Sequence, residues 1–160
     1  MSTLTPHDAD TQFLTRQAMY TGYQYFSILT PVIYTVLVRR GRTPFSINNA
    51  LRATWMGGLA GSASAGGLAY ARYAYTSEAT VRQKRIHNAY NTSRLRADDH
   101  ATIGAVLGSV LTPAILWKRA GVIHLVLGGA ALGSGVGLLA HHCRTLMGDA
   151  PPKAQIPPGL

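Results

Sequence analysis

The chain has 160 residues, a formal net charge of +9 and a single cysteine, Cys143, which excludes an intrachain disulfide. Charged residues make up only 13% of it, against the roughly 25% usual for a soluble globular domain, while 47% is hydrophobic. The charges are segregated: none falls within 19–38, 54–71, 101–117 or 120–140, and the basic residues sit between these runs.

The N-terminal segment 1–18 opens "MSTLTPHDAD", with two acids before its first Arg. It fits neither a secretory signal nor an Arg-rich, acid-poor presequence. A bilayer core of ~30 Å takes ~20 apolar helical residues, with ~17 as the lower limit. The run 19–38 meets this and contains "ILTPVIY". A proline inside a water-exposed helix costs ~3 kcal/mol, whereas membrane helices tolerate it, because Ser and Thr side chains re-satisfy freed backbone groups. Thr30, beside Pro31, is expected to do so. The helix then exits into "VRRGR", where Arg39, Arg40 and Arg42 have no acid among them.

The run 54–71, "TWMGGLAGSASAGGLAYA", is long enough to cross but weakly apolar. The segment 72–100 is predicted to hold a short basic helix from the cap Ser77 to about Asn91. Its Arg82, Lys84 and Arg85 suit anionic lipid, where each basic residue is worth about 1 kcal/mol. Asp98 and Asp99 are expected just before the third long helix, favoured by its N-terminal dipole.

The third run, 101–117, repeats the first motif as "VLTPAIL", with Thr112 beside Pro113, and exits into Lys118 and Arg119. The fourth run, 120–140, is the most apolar. The Pro-rich tail 149–160 reads as extended peptide or disordered. The prediction is an all-α membrane protein with four transmembrane helices, arranged as two hairpins that each pair a Pro-containing helix with a Gly-rich one. Both basic turns then lie on one side, with Trp55 and Trp117 at that level and Tyr20, Tyr23, Tyr25, Tyr70 and Tyr73 at the other. The competing reading, a soluble bundle, requires polar faces that these runs lack.

Thirteen of the seventeen glycines lie in the last three runs. Gly57 and Gly61, Gly104 and Gly108, and Gly129, Gly133 and Gly137 recur at spacings of four, extended by Ser62, Ala63, Gly66 and Gly67. Small residues four apart let helix backbones approach closely, so these are the candidate helix-packing residues. Arg39, Arg40, Arg42, Lys118 and Arg119 are the candidate ligands for lipid head groups, including cardiolipin; nucleic acid fits less well, because the charge flanks apolar helices.

No catalytic, metal or cofactor site is expected. No carboxylate, Lys or Arg lies within a run, which argues against a pump or coupled transporter. His124 reads as a packed interfacial side chain. His100, His141 and His142 should lie near one surface, at helix ends rather than in a haem-ligating pair. No phosphate loop, dinucleotide pattern or nucleophile elbow is present.

Two stretches, "DADTQFLTRQAMYTGYQYF" (8–26) and "RADDHATIGAVLGSVLTPAILWKRAGVIHLVLGGAALGSGVGLLAH" (96–141), resemble the NUXM-type accessory subunits of fungal mitochondrial respiratory complex I. That resemblance implies the mitochondrial inner membrane, partners in the membrane arm and no redox centre in this chain. The glycine-ridged four-helix pattern also looks like the Tim17/Tim22/Tim23 group of inner-membrane protein translocases.

Overall fold

The computed structural model describes residues 5–149, and the chain there is all-helical. Five helices follow in order: α1 Pro6–Arg39, α2 Ile47–Ala74, α3 Glu78–Ala89, α4 Thr92–Leu116 and α5 Val122–Leu146. The four long helices alternate in direction. α1 pairs most extensively with α2 and α4 with α5, while α5 also lies against α2 and α1. The two expected hairpins are therefore present, and α5 joins them.

Three helices start ahead of their charge-free runs: α2 at Ile47 rather than 54, and α1 and α4 by more. α1 begins at Pro6, well inside the segment 1–18. Thr5 caps it by accepting from the Asp8 amide, and the proline occupies a first-turn position where no donor is lost. α4 begins at Thr92, capped by the Asn91 side chain, so Asp98 and Asp99 lie about two turns inside it rather than ahead of it. The dipole argument for these two acids does not hold. The short basic helix is present as α3, with Ser77 at its cap position, although that hydroxyl meets Thr80 (2.9 Å) rather than a backbone amide. The tail beyond Asp149 lies outside the described residues.

Four transmembrane helices were expected; α4 and α5 are the two long and apolar enough to cross a membrane by length and composition. Tyr and Gln dilute α1, and Gly, Ala and Ser dilute α2.

Large and small residues are distributed unusually. The described interior of α5 holds Gly128, Gly129, Ala131, Ser134, Gly135 and Gly137 beside Leu125 and Leu138. The large apolar side chains point outward: Leu29, Val32, Ile33 and Val36 on α1, Leu59 and Leu68 on α2, Ile103, Val106, Val110 and Ile115 on α4, and Ile123 and Val136 on α5.

Pro31 and Pro113 both lie inside helices. The Thr30 hydroxyl donates to the Phe26 carbonyl (2.7 Å), one residue short of Ser27, whose carbonyl loses its donor to Pro31. Thr112 does not behave as expected: its hydroxyl is aimed at Gly129 across the α4/α5 seam. A glycine there leaves room for it.

Candidate functional site

The glycines divide into two kinds of seam. Along α4/α5, backbone meets backbone. A Cβ placed on Gly104 would strike the Gly133 carbonyl, and one on Gly133 would strike the Gly104 carbonyl. Gly108 and Gly129 are reciprocal in the same way, and Gly137 abuts the His100 carbonyl. Along α1/α2, most of the glycines receive side chains instead: Gly57 faces Thr30, Gly61 faces Phe26, and Gly66 faces Met19. Gly67, expected to extend a ridge, has nothing within 4 Å and points outward.

Sequence spacing missed four further contact glycines. Gly22 would meet the Gly61 carbonyl, Gly58 receives Tyr23 and Ser27, Gly128 receives Leu51, and Gly135 receives Ile28. Gly128 and Gly135 stand seven apart, one heptad on the same face of α5. That interval was the available signal.

The two basic turns meet at one end, where the Asn48 side chain accepts from the Gly121 amide (3.1 Å). Arg39 ends α1, Arg40 caps it, and Arg42 follows Gly41, whose φ of 70° reverses the chain. Lys118 and Arg119 occupy the α4–α5 turn, and all five basic side chains are exposed. Trp55 and His124 join the hairpins just inside this end: the indole N–H donates to His124 Nδ1 (3.2 Å), with the rings stacked at 6.2 Å.

The opposite end is polar. His100, His141 and His142 come together there, with ring centroids 5.8 and 5.6 Å apart. His100 donates from Nδ1 to the Arg96 carbonyl (2.7 Å), and Arg144 approaches its Nε2 (3.5 Å). The protein itself engages these nitrogens, and among the described residues no group of His, Cys, Asp or Glu is arranged to hold a metal ion.

Beside the histidines, α1 and α4 are tied by hydrogen bonds that the sequence did not reveal. Gln24 donates to Asp98 (2.9 Å), and Arg94 donates to the Thr21 hydroxyl (2.6 Å) and the Gln17 carbonyl (3.2 Å). Asn88 of α3 donates to Gln17 (2.9 Å). α3 is held further by Arg85, which pairs with Asp10 and lies over the Phe13 ring (5.5 Å). Gln24 marked only that some polar partner was needed, not which one. It is the most polar side chain in 19–38, and a buried amide needs a partner.

No protein-family model, curated protein or solved structure matches the chain.

Proposed function

We propose that the chain is a non-catalytic accessory subunit of mitochondrial NADH:ubiquinone oxidoreductase, complex I, crossing the inner membrane four times. It would support assembly and stability of the membrane arm through helix packing and lipid contacts. One observation carries the membrane part: small residues fill the seams while large apolar side chains cover the outside of all four long helices. In water that arrangement exposes far more apolar surface than a soluble monomer sustains. In lipid it is favourable, because hydrocarbon solvates the outer side chains and close backbone packing drives association. The outward Leu29, Val32, Ile33 and Val36 extend this surface along α1, and the charge-free run 54–71 extends it along α2. The assignment to complex I rests on the resemblance of 8–26 and 96–141.

Seam glycines seat the helices against each other. The outer faces meet membrane-arm subunits, and the basic turns hold anionic head groups such as those of cardiolipin. An import translocase of the Tim17/Tim22/Tim23 kind is the rival. It requires a polar or charged face toward the moving polypeptide, whereas 54–71 presents no charge.

Mild detergent solubilisation of inner membranes, followed by native electrophoresis, tests the reading. The chain is expected to migrate with NADH dehydrogenase activity. Migration with the import machinery would replace this function with the rival.

A further inference from the structure

α4 carries Arg94 and Asp98 one turn apart, a spacing at which opposite charges on a helix commonly meet. Here they do not pair: the ion pairs among the described residues are Arg85–Asp10 and Arg96–Asp149. α1 holds the two groups separately. Thr21 and the Gln17 carbonyl take one guanidinium nitrogen of Arg94, and Gln24, only 7% exposed, fixes one carboxylate oxygen of Asp98. A cavity of about 280 Å³ adjoins both charges and is bordered by Ser93 and by the exposed Tyr25 and His142. It sits where the charge-free runs of α1, α4 and α5 begin or end, at head-group depth if the bundle spans a bilayer.

We propose that this cavity binds a phosphodiester carrying a primary ammonium group, as in the head group of phosphatidylethanolamine. The phosphate accepts from the remaining guanidinium nitrogens of Arg94 and from the Ser93 hydroxyl, whose oxygen also lies 3.4 Å from His141 Nε2. The ammonium donates to Asp98. A simple anion would face the Asp98 carboxylate, and a simple cation would face Arg94. Only a ligand with both signs satisfies both groups, and charge-assisted hydrogen bonds of this kind are the strong ones. Choline has no N–H to offer Asp98, so the cavity discriminates between the two common zwitterionic head groups. The lipid would sit at the α1/α4 junction and secure one hairpin to the other.

The proposal rests on the membrane reading, so the test separates the two. The full chain in detergent micelles is incubated with phosphatidylethanolamine, phosphatidylcholine or phosphatidylglycerol and examined by native mass spectrometry. Ethanolamine lipid is expected at several-fold higher occupancy than the other two. Asp98→Asn, which keeps an acceptor for Gln24, should lose the preference over phosphatidylglycerol, and Arg94→Gln should lose all three lipids. Equal occupancy of the three by the unaltered chain, or an unchanged preference in Asp98→Asn, overturns the proposal. Free glycerophosphoethanolamine, the soluble diester with the same head group, should compete only weakly; if it binds as well as the lipid, a soluble metabolite and not a bilayer is the source. Release of the chain from vesicles by alkaline carbonate would defeat the membrane reading. Absent selectivity in a chain that resists carbonate would defeat this site alone.

Discussion

Gly133→Ala isolates the α4/α5 seam with a single methyl group. The added Cβ would lie 2.7 Å from the Gly104 carbonyl carbon and 3.1 Å from the Gly108 Cα, with the Gly104 oxygen closer still. All three are backbone atoms, so no rotamer change relieves the clash. The helices must separate locally by about 1 Å, and a gap of that size forfeits about a quarter to a half of each dispersion contact it opens. Overpacking of this kind costs about 1–3 kcal/mol, and the backbone character of the contact places Gly133 toward the upper end. Gly67→Ala is the matched control. It has open space around it, and exchanging a mid-helix glycine for alanine gains roughly 0.5–1 kcal/mol. Equilibrium unfolding in micelles, followed by the fluorescence of Trp55 and Trp117, should order the proteins as Gly67→Ala at or above the unaltered chain and Gly133→Ala, which makes the same propensity gain, a net of about 1–2 kcal/mol below it. Equal stability of the two variants would refute close backbone packing as the source of cohesion. If the proposed complex I role holds, Gly133→Leu should hinder membrane-arm assembly in cells while leaving the chemistry of any assembled complex intact.

Trp55→Phe removes the indole donor to His124 and should cost about 1 kcal/mol, measured by the same unfolding assay; under the proposed complex I role, His124→Ala should leave respiratory turnover unchanged. Arg85→Met strands Asp10, which is 5% exposed, while the arginine side chain is 48% exposed. Solvent screening reduces the buried-pair penalty to about 1–2 kcal/mol, and hydrogen exchange across α3 should accelerate while that of α5 stays constant. Four crossings require Arg42→Cys and Tyr75→Cys, made in a Cys143→Ala background, to react with an impermeant maleimide from opposite faces of sealed vesicles. Labelling of both from one face would remove α2 from the bilayer.

The all-helical architecture was legible because uncharged runs of that length have few other uses, but length alone ranked 19–38 ahead of the marginal 101–117, whereas α4 and α5 are the two helices apolar enough to cross. Helix starts were not. A charge-free run reports where charge is tolerated, whereas a helix starts where a cap permits. Thr5 before Pro6, and Asn91 before Thr92, are such caps, and both lie in polar sequence outside the runs. The spacing of four found glycines that abut neighbouring helices but could not tell which face of α2 turns inward, so Gly66 and Gly67 looked alike although only Gly66 meets another helix. The polar junction of Gln24, Arg94 and Asp98 depends on how α1 and α4 lie together, and local sequence holds no record of that.

The contrast between the two seams bears on how the molecule can deform. Where Gly104 and Gly108 abut Gly129 and Gly133, main chain meets main chain, with the Thr112 side chain beside Gly129, and the main-chain atoms offer no alternative positions short of parting. Where Gly57, Gly61 and Gly66 receive Thr30, Phe26 and Met19, each contact ends in a side chain that can rotate. Lateral pressure from a neighbour is therefore taken up more readily along the side-chain contacts of the first hairpin, although Gly22 against the Gly61 carbonyl is a main-chain stop there too. The second hairpin is the stiffer of the two, and a partner needing a fixed reference would grip it there.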